Sequence, residues 1–174
     1  MNKLFIVTLF CALFVVASTN ASAASDLGDL VLGVVEGLEF TVSSHAKQCI
    51  RDTKHTVTAI KDGLEDIDHG FSKKSVHDVA DGLKDFGGAL IVIPEIYEEC
   101  GISKFVSEIK TLASRLKSGE AGVIDVVLRE LINIFHNRHD LTSYFKDAIA
   151  DEKKGSYTDC GINVGKIIGV LLRD

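Results

Sequence analysis

Apolar residues recur at helical spacing through almost the whole chain beyond residue 24, and no stretch alternates persistently as a half-buried strand does. Seven segments follow. The first runs from Asp26 to Phe40, with Leu27, Leu30, Val31, Val34, Val35 and Leu38 on its apolar face. Ser43 or Ser44 caps a long second helix carrying Ala46, Cys49, Ile50, Val57, Ile60, Leu64 and Ile67. It is expected to end over Asp66 to Gly70, glycine suiting a left-handed stop. A third opens at Ser72 or Ser75 and extends to Cys100 through Val76, Val79, Leu83, Phe86, Leu90, Ile93 and Tyr97. Pro94 must kink or split it, because proline brings no N–H and crowds the preceding turn, and Gly87-Gly88 loosens it further. Ser103 is expected to cap a fourth helix ending at Gly119. A fifth runs from about Glu120 to His136, a sixth from an Asp140 cap to Ile149, and a seventh from Thr158 or Asp159 to Leu172. With no linker between them, the pattern predicts an all-α fold: a single-domain bundle of six to seven helices.

The first residues change the picture of where the chain goes. Met1-Asn2-Lys3 carries one positive charge, Leu4 to Val16 is apolar apart from Thr8, and Ala21-Ser22-Ala23 closes a small-residue stretch. These are the parts of a secretory signal peptide. The reading is a signal peptide over 1–23 and a helical domain over 24–174, secreted to the extracellular space or a secretory-vesicle lumen. The alternative, a retained anchor, has to contend with an apolar run shorter than the roughly 20 residues a span takes. The sequon Asn20-Ala21-Ser22 falls in the leader, so no N-glycan is expected beyond it.

Charge narrows the partners. The 19 Lys and Arg, one of them Lys3 in the leader, stand against 25 Asp and Glu, and no basic cluster forms. Nucleic acid is therefore not an expected partner, and attraction to anionic membranes is weak.

Beyond Cys11 in the leader there are three cysteines, Cys49, Cys100 and Cys160, an odd number for an oxidising compartment. Cys49 and Cys100 lie on the apolar stripes of two helices joined by a short turn. At about 1.5 Å per residue their offset along a straight hairpin is about 12 Å, part of which the Pro94 kink can remove. A Cys49–Cys100 disulfide is the favoured pairing; Cys100–Cys160 and no bridge are the alternatives. A leftover Cys160 is a route to a disulfide dimer if exposed and inert if buried. The stretch Tyr-Glu-Glu-Cys-Gly-Ile-Ser (97–103) returns as Tyr-Thr-Asp-Cys-Gly-Ile-Asn (157–163), but its flanks do not align. The two copies read as unlike helix boundaries rather than a duplication.

Gly161, Gly165 and Gly169 recur every four residues, and Gly33 and Gly37 form a similar pair near the start. Each glycine inside a helix costs about 1 kcal/mol against alanine, so such faces exist to admit something close. Tight packing of the two terminal helices is the plainer reading; a cavity wall or membrane-active face is the sharper one.

Chemistry is sparse. His136 and His139 stand three apart before Asp140, without the glutamate base of a zincin. His55, His77, Asp78 and Asp140 are too scattered to make a metal phosphohydrolase. Asp62, Glu65, Asp66 and Asp68 do not match an EF-hand loop and read as a solvated helix face. There is no Gly-x-Ser-x-Gly elbow and no phosphate-binding glycine loop. No enzyme, metal or cofactor is expected.

The leader, Gly-Leu-Glu-Phe (37–40), the spaced Cys49 and Cys100, and the Gly-x-x-x-Gly-Lys-Ile-Ile ending (161–168) together resemble small secreted helical proteins of ciliates and related protists. The resemblance implies secretion and carries no activity. Saposin-like proteins are similar in class alone, since their six-cysteine pattern is absent. The expectation is a secreted non-enzymatic binding module for a hydrophobic small molecule or lipid, or for a protein partner. The ligand-lining residues it names are Leu90, Ile93, Tyr97, Ile124, Leu131, Ile167 and Leu171. Two alternatives are a membrane-active protein that inserts its terminal helices, and a metal-dependent hydrolase using His136, His139 and Asp140.

Overall fold

The computed structural model describes residues 25–119 and 140–172, and these are helical throughout, with no strand among them. In chain order the helices are α1 (25–37), α2 (Ser44–Arg51), α3 (Thr58–Lys73), α4 (Val76–Leu90), α5 (Val92–Glu99), α6 (Val106–Lys117), α7 (Asp140–Lys153) and α8 (Tyr157–Leu171). The expected fifth helix lies outside the described residues. The core is aliphatic, with Phe86, Tyr97 and Phe145 as its large rings.

Several boundaries differ from the periodic reading, each for a local reason. The long second helix is two. α2 stops at Arg51, and α3 starts only at Thr58. Thr53, Thr56, Val57 and Thr58 crowd this junction, and β-branched side chains lose rotamer freedom in a helix. Gly70 does not stop α3; the stop is Lys74, in the left-handed conformation at φ 53°. Gly70 lies instead where α4 passes, and a Cβ there would stand 2.5 Å from the Val79 nitrogen. Ser43 and Ser75 do cap α2 and α4, their hydroxyls accepting from Ala46 N–H and Asp78 N–H at 3.1 Å.

The third helix divides at Ile91, three residues before Pro94. Pro94 thereby occupies the first turn of α5, where the missing N–H costs no helical bond. Ser103 does not cap α6, which begins after Phe105 in the left-handed region at φ 63°. Neither Thr158 nor Asp159 starts α8, which opens at Tyr157 after Ser156.

Glycines set how closely the helices approach. Along the antiparallel α3–α4 hairpin, Gly63 meets Phe86 and Gly82 meets Ile67, each with room for no Cβ. Gly87 admits α6, since a Cβ there would stand 2.9 Å from the Lys117 nitrogen, whereas Gly88 beside it is unobstructed. The terminal helices α1 and α8 make the tightest seam. A Cβ at Gly33 would overlap the Thr158 carbonyl oxygen, and one at Gly161 the Leu30 carbonyl oxygen. One turn on, Gly37 meets Ile162 and Gly165 meets Val34 in the same way. The register rises in both helices together, so α1 and α8 run parallel. Of the two readings of the glycine stripes, tight helix packing accounts for these four.

Cys49 and Cys100 are bridged, with Cα atoms 5.6 Å apart. The 12 Å offset vanishes because the 52–57 break detaches α2 from the line of α3. Closing a 51-residue separation contributes on the order of 4 kcal/mol in the chain-entropy account. Polar links join α7 to its neighbours: Lys61 pairs with the buried Glu152 at 3.1 Å, Lys153 with Asp68 at 2.6 Å, and Asn163 donates to Asp151 at 3.1 Å.

A candidate ligand cleft where the terminal helices part

The seam between α1 and α8 ends where α1 ends. Leu38 and Glu39 turn the chain away, Glu39 in the left-handed region at φ 56°. α8 continues for another turn, and beside it a cleft of about 380 Å³ opens. Gly37, Leu38 and Glu39 line it from α1, and Phe105 from the start of α6. Tyr144 of α7 and Lys166, Gly169, Val170 and Leu172 at the end of α8 complete the lining. That volume lies within the range of small-molecule pockets, roughly 300–1,000 Å³.

The lining mixes apolar side chains with polar groups. Leu38, Phe105, Tyr144, Val170 and Leu172 all pack against the core with one side and leave the other accessible. Lys166 lays its ammonium 5.3 Å from the centre of the Tyr144 ring, a cation–π contact. Phe105 and Glu39 are two of three non-glycine residues with positive φ among the described residues, and both line this cleft. Such backbone is unfavourable for a bulky side chain and persists where the surrounding structure enforces it.

A chain of rings leads inward from the cleft. Phe105 meets Phe40 edge-on at 5.5 Å, and Phe40 meets Tyr97 edge-on at 5.9 Å. Lys104 covers the outer pair, 5.1 Å from Phe105 and 5.3 Å from Phe40. The inner ring ends in an unusual group. Tyr97 is wholly buried, its hydroxyl has no hydrogen-bond partner among the described residues, and burial holds its ionisation far above the ordinary tyrosine range. A buried unpaired hydroxyl is costly, of the order of 1–3 kcal/mol.

Among the residues named from sequence as ligand-lining, Leu90, Ile93, Tyr97 and Ile167 are core side chains without exposure. Tyr97 is joined to the cleft through Phe40 and Phe105. Leu171 lines a shallower neighbouring groove with Ser107, Glu108, Thr111, Leu112 and Arg115. Ile124 and Leu131 lie outside the described residues. The residues that form the cleft itself were missed. The signal for them was Gly-Leu-Glu-Phe (37–40) directly after a helical run, together with Gly169 continuing a glycine stripe beyond the reach of α1.

The other groups singled out from sequence are dispersed. His55 lies 3.3 Å from Glu99, and His77 lies 3.6 Å from Asp81 on its own helix. His136 and His139 are outside the described residues, and no cluster of three or more metal-ligating side chains occurs among those described. Asp68 of the acidic run is engaged by Lys153. No helix among the described residues is long and apolar enough to cross a membrane. Cys160 is a fully buried free thiol in the first turn of α8. Burial, with Glu152 and Asp151 nearby, pushes its pKa up to about 12, opposite to the shift of a reactive cysteine. Its echo, Cys100-Gly101, closes α5 with Gly101 left-handed at φ 70°, so the repeated letters do serve different backbone roles.

Comparison with known proteins agrees with the secreted reading. The profile of the Secreted protein B-like (SctB-like) family matches residues 13–173. "Secreted protein A" of Dictyostelium discoideum is 36% identical over 168 residues, covering 97% of both chains. "Secreted protein B" of the same organism is 37% identical over 158 residues, covering 91% of this chain and 85% of that one. "Secreted protein C", also from Dictyostelium discoideum, is 40% identical over 150 residues, which are 86% of this chain and 31% of that longer protein. No solved structure matches. These relatives are named for secretion and not for any catalytic activity, and these three come from Dictyostelium; the small secreted protein family is shown, a ciliate origin is not. The protein is thus secreted, and the chain belongs to the Secreted protein B-like family.

Proposed function

We propose that this protein is a secreted, non-enzymatic binding module whose ligand is a hydrophobic small molecule, taken up in the cleft beyond the α1–α8 seam. The observation that carries this reading is the convergence of five half-buried apolar or aromatic side chains on one recess, two of whose lining residues are held in left-handed backbone. An apolar recess with a few polar groups at its edge is the usual form of a small-molecule site. Tyr97 lies behind Phe40, one ring further from the recess than Phe105. On the same reading the signal peptide is removed after residue 23, and the mature chain starts at Ala24.

Native mass spectrometry of the protein secreted from a eukaryotic host tests both statements. The expected result is a chain beginning at residue 24 and carrying extra mass that leaves on denaturation. A bare chain that also takes up nothing from a lipid extract of its host overturns the binding reading. A denatured chain still beginning at Met1 overturns the cleavage.

A further inference from the structure

Resting on that reading, the cleft's own charges narrow the ligand class. Lys166 and Glu39 both line it, on α8 and at the end of α1 respectively. Among the described residues neither has an ion-pair partner, and the two are not within 4 Å of each other. Lys166 is half-buried, its ammonium over the Tyr144 ring. Tyr144 brings a phenolic hydroxyl to the same wall. This part of the cleft sets the Lys166 ammonium and Tyr144 beside the Glu39 carboxylate and the backbone carbonyls at the ends of α1 and α8, and Lys166 is its one cationic donor among the lining residues. A half-buried ammonium of this kind favours a counter-charge, and charge-assisted hydrogen bonds are the strong ones. Outside the lining, Lys104 adds a second positive charge over Phe105. Glu39, exposed at the rim, opposes a ligand that brings a second negative charge.

We propose that the cleft binds a monoanionic single-chain amphiphile, a long-chain carboxylate. Its head group takes the Lys166 ammonium and the Tyr144 hydroxyl. Its chain runs over Leu38, Phe105, Val170 and Leu172. Such a carboxylate is ionised at neutral pH, since carboxyl groups titrate near pH 4. The chain supplies affinity by apolar burial and the head group supplies selectivity.

Calorimetric titration of the mature protein with decanoate, decanol and decyltrimethylammonium, all below their micellar concentrations, separates the parts. The expected result is decanoate bound at least about tenfold more tightly than decanol, with the cation weakest. Lys166→Gln is expected to remove that preference by weakening decanoate much more than decanol, and Lys166→Arg to restore it. Glu39→Gln is expected to tighten decanoate, which keeps the inference testable if the lysine variant fails to fold. Equal binding of decanoate and decanol overturns the head-group assignment but leaves the cleft as a hydrophobic site. A preference that survives Lys166→Gln overturns the role of Lys166. Binding of none of the three overturns this inference and the binding reading together.

Discussion

The same two helices behave in opposite ways at their two ends. Over Gly33, Gly37, Gly161 and Gly165, α1 and α8 touch backbone to backbone, with room for no side-chain carbon. One turn further along α8, beside Gly169, the helices have parted and a cleft stands open. The glycine spacing of α8 continues through both regions unchanged. The difference is that α1 stops at residue 37 and Glu39 turns the chain aside, so α1 does not continue alongside the last turn of α8. A stripe of small residues therefore has no fixed meaning: opposite a helix it is a seam, and past the helix's end it is part of a recess. The chain gains rigidity from the first and accessible apolar surface from the second.

The comparison breaks most sharply at the seam. Gly161→Leu is expected to prevent folding, and Gly161→Ala to cost about 2–3 kcal/mol in urea unfolding. Overpacking against a backbone outweighs the roughly 1 kcal/mol that alanine gains in helix propensity. A neutral Gly161→Ala would mean that α1 and α8 do not touch.

Cys160 probes the same buried side by titration. Its thiol is raised from 9.0 to about 12 in the folded protein, so the folded state keeps a proton that the unfolded chain releases. The stability this contributes is full below about pH 9. It falls by about 1.4 kcal/mol per pH unit as pH rises toward the folded value. Lys61 is raised mainly by its hydrogen bond to Glu152 and so acts in the same direction, but from its higher ordinary value of 10.5. Denaturant midpoints from pH 8 to 10.5 should fall in the parent and stay flatter in Cys160→Ala. A thiol reagent should leave native Cys160 untouched at pH 8, yet modify a Val170→Cys variant at the cleft quickly.

Two adjacent glycines repeat the contrast on a smaller scale. Gly87→Ala is expected to lose about 1–2 kcal/mol because its Cβ meets Leu116 and the Lys117 backbone. Gly88→Ala should gain up to about 1 kcal/mol, its Cβ meeting the Lys117 side chain at an ordinary 3.8 Å. The smallest effect belongs to the cleft wall. Val170→Ala should cost under about 1 kcal/mol, since its side chain is already partly exposed, while weakening any apolar ligand. A loss as large as at the seam would mean that Val170 is core and the recess is closed in solution.

Much of this molecule could be read without coordinates. Helical periodicity placed Leu27, Leu30, Val31 and Val34 on one buried face and Ile60, Leu64 and Ile67 on another, because a 3.6-residue repeat leaves each helix one apolar side to hide. The capping serines Ser43 and Ser75 were legible because a hydroxyl that satisfies an orphan N–H is a local matter. Cys49 and Cys100 were paired correctly although the straight-hairpin estimate put them apart. Local signals failed where three residues give no sign of backbone direction. Nothing in Glu39, Lys74 or Phe105 announces a left-handed turn, since any such residue ordinarily avoids it. The break at 52–57 was hidden because its buried Val57 keeps the helical rhythm on paper.

Helical class and the small-residue faces are thus properties of the chain itself, written in a 3.6-residue repeat and glycines spaced by four, and secretion was the expectation drawn from its first residues. Which glycines form the α1–α8 seam, and which border the cleft, was decided in three dimensions. It depends on where α1 ends and on what the parallel register sets beside each turn of α8, and no single helix carries that information.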